Sequence, residues 1–223
     1  MRSEILCVLC LMFLAAGCGH PAAETKMTAV PTVPAVVRWL PAKEDATSSL
    51  ATESPLNPGN VDEYLFLPGV QYVDLRSSAQ IVSEGSIAGF VNIPFYEALV
   101  SWKPQDTILF YMKKGEDADQ YVGSVGTFYP SYEESEELLK QLFQRDSPIV
   151  FFSTAGVEAA YMINLLVQYG YDPALLYNAG SFTTSMGASL SYRDRKDHRY
   201  YIPGTDVYTV STAYSWNRLT PRG

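Results

Sequence analysis

Beyond residue 18 the chain contains no cysteine: its three lie at Cys7, Cys10 and Cys18. Whatever its fold, a body built from the remainder has no disulfide, no thiolate metal site and no cysteine nucleophile. Histidine is almost as scarce. His20 and His198 are the only two, and neither sits in a motif, so a serine nucleophile would lack an evident base. Cations are outnumbered, with 16 Lys and Arg against 24 Asp and Glu and a net charge of -8. Phosphate backbones and anionic lipid surfaces are held by clustered Lys and Arg, so neither a nucleic-acid partner nor polybasic attraction to a membrane is expected. No acidic group shows metal-ligand spacing: Glu116-Asp117-Ala118-Asp119 suits a wet loop better than a Ca²⁺ site. No metal and no cofactor are expected. The longest apolar run, Ile5 to Ala16, is too short for a permanent membrane span.

What is present divides into four stretches. Residues 1–18 form an apolar leader ending in Leu14-Ala15-Ala16-Gly17-Cys18, which resembles a bacterial lipoprotein signal with a cysteine placed for lipidation. Residues 19–59 are rich in Ala, Thr, Ser and Pro, with Pro21, Pro31, Pro34, Pro41, Pro55 and Pro58 interrupting any regular element, and are expected to be a flexible tether. Residues 60–188 are expected to form one domain, consistent with 47% hydrophobic content over a chain of 223 residues. Residues 189–223 form a tyrosine-rich extension carrying Tyr200, Tyr201, Tyr208, Tyr214 and Trp216, suited to cover the domain or to present a protein-contact surface. Within it, Arg193 to Arg199 is expected to be a solvated charged run.

Inside the domain, strand and helix patterns alternate. Val61 to Phe66 suits a short helix, Val70 to Leu75 a strand, and Ser78 to Ser83 a helix closed by Glu84-Gly85. Ile87 to Pro94 suits a turn into a buried strand, and Thr107 to Met112 another. Lys113 to Gly126 is polar and loop-like. Ser131-Tyr132-Glu133-Glu134 has the spacing of a capping box opening a helix with Leu138, Leu139, Leu142 and Phe143 on one face. Ile149 to Phe152 is the most apolar strand candidate. It runs through Ser153-Thr154-Ala155-Gly156-Val157-Glu158 into a helix that reaches Gly170, and Leu175-Leu176-Tyr177 suits a further strand. This alternation predicts an α/β layered fold with a mostly parallel central sheet flanked by helices. Ligands of such sheets lie at the carboxyl ends of the strands, where Ser153 falls. There a small-residue loop and a helix start aim N–H groups at one spot able to hold an anion.

In this order the segments resemble the rhodanese-like family. Tyr72-Val73-Asp74-Leu75-Arg76-Ser77 is similar to its Asp-x-Arg signature, Gly85 to Pro94 to its second motif, Ser153 to Glu158 to its active-site loop, and Tyr177-Asn178-Ala179-Gly180 to its closing turn. Val125-Gly126-Thr127-Phe128 with Tyr132 to Glu137 is similar to an insert of bacterial rhodanese-like lipoproteins. The resemblance implies a three-layer rhodanese-like domain held to a membrane through Cys18 on its extracytoplasmic side, in contact with the bilayer and with a possible envelope protein.

The family's sulfurtransferases need a cysteine at the loop's first position, where a thiolate carries sulfane sulfur as a persulfide. Here that residue is Ser153, and Glu158 stands late in the loop where many members place a cation. The resemblance thus implies a domain without that activity, serving in binding or regulation. A divergent sulfurtransferase-like enzyme or a Ser153-dependent hydrolase is the alternative. Asp74 and Arg76 either lend charge to the loop or brace the strand end by ion pairing, and bracing is the favoured role.

Overall fold

The computed structural model describes residues 39–103, 108–113, 126–183, 191–204 and 218–222. The chain divides into two units, Met1–Val36 and Val37–Gly223, and every described residue belongs to the second.

Its centre is a four-stranded, all-parallel sheet. In chain order the strands of the fold are β1 (Gln71–Asp74), β2 (Ser86–Ile87), β3 (Val91–Asn92), β4 (Val100–Ser101), β5 (Phe110–Lys113), β6 (Thr127–Pro130), β7 (Ile149–Ser153), β8 (Leu176–Ser181) and β9 (Tyr201–Ile202). The helices are α1 (Ser78–Glu84), α2 (Ser135–Leu142) and α3 (Val157–Gln168). The central sheet runs β3-β1-β7-β8. Two smaller sheets accompany it, an antiparallel β2-β9 pair and a β4-β5-β6 sheet. The expected α/β architecture with a parallel central sheet is the one observed.

The period of two along β7 explains the layering. Ile149 and Phe151 join one apolar cluster with Val73, Leu75 and Leu176, and with Leu139, Phe143, Met162, Ile163, Leu165 and Leu166 from the α2 and α3 regions. Val150 and Phe152 join a second cluster with Tyr72, Tyr177, Ala179, Leu56, Val61, Leu65, Phe182 and Tyr192. Both faces of the strand are therefore covered, as an all-parallel sheet requires. One cover is helical. The other is assembled from the residues before β1 and after β8.

That second cover corrects the expected tether over its second half. Residues 40–59 are packed onto the domain. Leu56 is wholly buried, and Leu40 packs against the same cluster. The Lys43 ammonium donates to the carbonyls of Ala46, Ser48, Pro173 and Leu176, and this burial lowers its pKa, while Asp45 and Asp172 oppose the shift. The prolines here leave one short 3-10 turn, Ala51–Glu53, and do not forbid docking, because extended chain can supply side chains and carbonyls without a ladder. Residues 19–38 of the expected tether lie outside the described residues.

Several local expectations also change. The segment from Ile87 to Pro94 is not one strand: β2 pairs with β9, and β3 pairs with β1. At Gly85, φ is +87°, and a Cβ would fall 2.3 Å from the Ile202 carbonyl oxygen, so a bare backbone is needed for β9 to reach β2. Of the expected strand at 107–112, Phe110 to Met112 fall in β5, which belongs to the small sheet with β4 and β6, and Thr107 lies outside the described residues. Ser131 and Glu134 form no capping box. Glu134 instead accepts hydrogen bonds from the Thr220 amide and hydroxyl, and the Ser135 hydroxyl donates to the Leu109 carbonyl while accepting from the Tyr132 amide. A capping box is present at α1, between Ser77 and Gln80.

In the extension, Tyr201 contributes to β9 and Tyr192 is buried, its hydroxyl donating to Asp62 over 2.7 Å. The expected charged run is only partly solvated: Arg195 donates to the Pro58 carbonyl, and His198 packs between Tyr192 and Tyr201. Tyr208, Tyr214 and Trp216 lie outside the described residues.

Two outcomes follow from this packing. Leu56→Ala is expected to destabilise the protein by about 2–5 kcal/mol in urea unfolding, and an unchanged midpoint would mean that residues 40–59 are not docked. Burial first, and then the bond to Asp62, raise the Tyr192 pKa well above the ordinary 10.0. Its stabilising contribution is thus full below the unfolded value and is lost as pH climbs from there toward the folded one. Tyr192→Phe should lower stability at pH 7 by about 1–2 kcal/mol yet lose less than the parent between pH 10 and 12, as thermal melts across that range would show.

Candidate functional site

The site is the turn between β7 and α3. β7 is buried along its whole length and ends at Ser153. Gly156 then adopts φ +81° as the residue before α3, a left-handed conformation that costs a side-chain-bearing residue about 1–2 kcal/mol. Space adds a smaller constraint, because a Cβ on Gly156 would lie 3.3 Å from the Ala51 methyl and 3.5 Å from Gly180 Cα.

Ser153 is fully buried, and its Oγ accepts a hydrogen bond from the Gly156 amide at 2.9 Å. The serine therefore serves its own loop. It occupies an N–H that would otherwise face the spot where a helix start gathers donors. Among the described residues, no histidine, carboxylate or lysine is hydrogen-bonded to Ser153 Oγ, and His198 lies instead among Tyr192 and Tyr201. A hydroxyl with no base nearby is a weak nucleophile at neutral pH. His20 falls outside the described residues.

The rest of the loop is tied down from three sides. Thr154 Oγ1 accepts from the Gln80 side chain at 3.0 Å, and its carbonyl accepts from the Ser181 hydroxyl and the Thr183 amide. The Ser153 carbonyl accepts from the Phe182 amide at 2.9 Å. Asn178 donates to the Gly156 carbonyl at 2.9 Å and to the Ser49 carbonyl at 3.0 Å, while its own side-chain oxygen accepts from the Gly180 amide. Asn178 and Ser49 thus bring the N-terminal segment directly against the loop. Nothing in the composition of residues 40–59 signals this, and Asn178 was visible only as part of a turn.

Asp74 and Arg76 take the bracing role. The Arg76 guanidinium is wholly buried. Its Nε and Nη2 donate to the Asp74 carboxylate, the latter at 2.6 Å. Nη1 donates to Glu84 at 3.2 Å and Nη2 to the Gly85 carbonyl at 2.8 Å. The guanidinium carbon lies 3.3 Å from the centre of the Phe182 ring. With its charge answered by two carboxylates and one face covered by an aromatic ring, Arg76 is a buried strut and not a cation offered to the loop.

Val157 and Glu158 open α3, and Glu158 lies in its first turn, where a carboxylate is favoured by the helix dipole. Ala155 is the remaining loop residue and is partly buried. Cys18 lies outside the described residues. Among those described, no group of three or more His, Cys, Asp or Glu side chains is placed to hold a metal ion, and no helix is long and apolar enough to cross a membrane.

The fold and site define a mixed α/β protein whose strand-loop-helix turn is closed by its own serine. The chain matches no protein-family model and no curated protein.

Ser153→Ala should leave the buried Gly156 amide without its partner and destabilise the protein by about 1–3 kcal/mol. At this size each kcal/mol corresponds to a melting shift of about 2–4 °C. Calorimetry showing an unshifted melt would mean that the hydroxyl has no structural duty.

Proposed function

We propose that this chain is a lipid-anchored, extracytoplasmic rhodanese-like domain that binds or regulates and does not transfer sulfur. The observation that carries the proposal is the bond from the Gly156 amide to Ser153 Oγ. At the position where sulfur transfer needs a thiolate, the side chain is an oxygen already engaged with the loop. The absence of cysteine after residue 18 supports the same conclusion, since no other residue of the exported body can form a persulfide. The parallel sheet with Ser153 at a strand's carboxyl end supports a ligand-facing position for the loop. The anchor is Cys18, and the partners are the bilayer and an envelope protein that contacts the domain.

The test is turnover of thiosulfate and cyanide by the purified protein. No thiocyanate above the uncatalysed rate is expected. Formation of thiocyanate that disappears in Ser153→Ala would overturn the proposal. Ser153→Cys alone is expected to restore little transfer, because the Glu158 carboxylate repels an anionic donor, and vigorous turnover by that single variant would show that the charge at Glu158 is unimportant.

A further inference from the structure

The three most exposed large apolar side chains among the described residues are Trp39 at 80%, Phe66 at 57% and Val91 at 57%, and all three belong to one end of the central sheet. Its four strands run parallel, so residues leading directly into them gather at the end opposite the Ser153 turn. Phe66 lies in the loop before β1, and Val91 is the first residue of β3. The segment that begins at Trp39 fixes its Lys43 to the Pro173 and Leu176 carbonyls, where β8 starts. Single exposed apolar residues are ordinary on a protein surface. Their collection at one end, with one of them held there under strain, is not.

Phe66 is the one non-glycine residue with positive φ among the described residues, at +61°, a conformation unfavourable for a bulky side chain. The chain on either side of it is pinned. The Tyr72 hydroxyl donates to the Tyr64 carbonyl and accepts from the Leu67 amide at 3.1 Å. The Phe66 ring rests on bare backbone at Gly89, where a Cβ would lie 2.8 Å from it, and meets Tyr200 edge-on with centroids 5.2 Å apart. The exposed Arg199 guanidinium stands 6.0 Å from the centre of the Tyr200 ring. Backbone strain persists where the surrounding structure enforces it, and it concentrates where a protein meets something else.

Exposed Trp and Phe beside a basic side chain are the composition of a membrane-interface contact. The chain enters on the β8 side while Phe66 stands on the β1 and β3 side, a span of about 15 Å across four strands. That spacing suits a broad surface more than a pocket for one small molecule. Trp39 is also where the chain arrives from Cys18, about 20 residues earlier, a reach of at most about 70 Å. A bilayer holding Cys18 is therefore within range of this end.

We propose that the amino-terminal end of the central sheet lies on a lipid bilayer, with Trp39, Phe66 and Val91 at the headgroup boundary and the Ser153 turn facing away. This orientation rests on the lipid-anchored reading above and leaves the turn open to an envelope protein.

The experiment is fluorescence of the purified full chain reconstituted into phosphatidylcholine vesicles, with and without phosphatidylcholine brominated on its acyl chains, and flotation of the same samples beside Cys18→Ser. Brominated lipid is expected to quench tryptophan emission, and Trp39→Phe to remove about half of that quenching or more. Phe66→Trp and Val91→Trp, each added to Trp39→Phe, should bring quenching back, with an unchanged circular dichroism spectrum as the check on folding. Quenching at Trp39 alone, with both of these variants folded and silent, would overturn the orientation, because a tether beside the membrane explains it. A floating protein with no quenching at any of the three positions would overturn it too and leave the lipid anchor standing. Quenching in a parent chain that floats no better than Cys18→Ser, repeated in the Phe66→Trp variant, would support the face and overturn the anchor. A parent that neither floats nor is quenched would overturn both.

Discussion

The fold depends on keeping water from both faces of a parallel sheet. β7 lies between β1 and β8, and its side chains alternate between two apolar clusters, so neither face can be left open without exposing Phe151 or Phe152. Helices α2 and α3 meet the requirement on one side. On the other, no comparable helix is found among the described residues, and the cover comes from what precedes and follows the core: Leu56 and Val61 from one end, Tyr192 and Tyr201 from the other. This is the physical reason that proline-rich sequence becomes part of the body. Burial of Leu56 and Leu40, together with the hydrogen bonds made by Lys43 and Asn178, offsets part of the entropy of ordering the segment.

The turn after β7 inherits its geometry from this arrangement. Ser153 ends a wholly buried strand, Gly156 supplies the left-handed residue, and Ala51 approaches it closely. Asn178 joins the Gly156 carbonyl to Ser49, so the N-terminal segment and the loop are held as one unit. A hydroxyl suits this role well: it accepts from the nearby amide without a charge that would need compensation. The serine at this position thus gives the loop an internal hydrogen bond.

Much of this was legible in the sequence because the relevant patterns are local. The alternation of strands and helices, the apolar run before Ser153 and the length of α3 follow from periodicity, while Asp74 and Arg76 stood out through the resemblance to an Asp-x-Arg signature. What escaped was set by distant partners. Whether residues 87–94 form one strand or two depends on Tyr201 and Ile202, more than a hundred positions away. The supposed capping box at Ser131 and Glu134 has the right spacing, but Thr220 takes the carboxylate. The docking of residues 40–59 cannot be read from composition, since carbonyls that receive Lys43 leave no trace in residue type.

The buried strut at Arg76 constrains how this protein can vary. Asp74 and Glu84 share one guanidinium, and Phe182 lies flat against it. Truncating the arginine alone would strand two acids and open a gap beneath the ring, whereas changing either acid alone would leave the cation short of a counterion. Viable sequences are therefore separated by gaps that single replacements cross poorly, and drift here should proceed by compensated sets. The neighbourhood is less a collection of tolerant positions than one inherited unit spread across three separate parts of the chain.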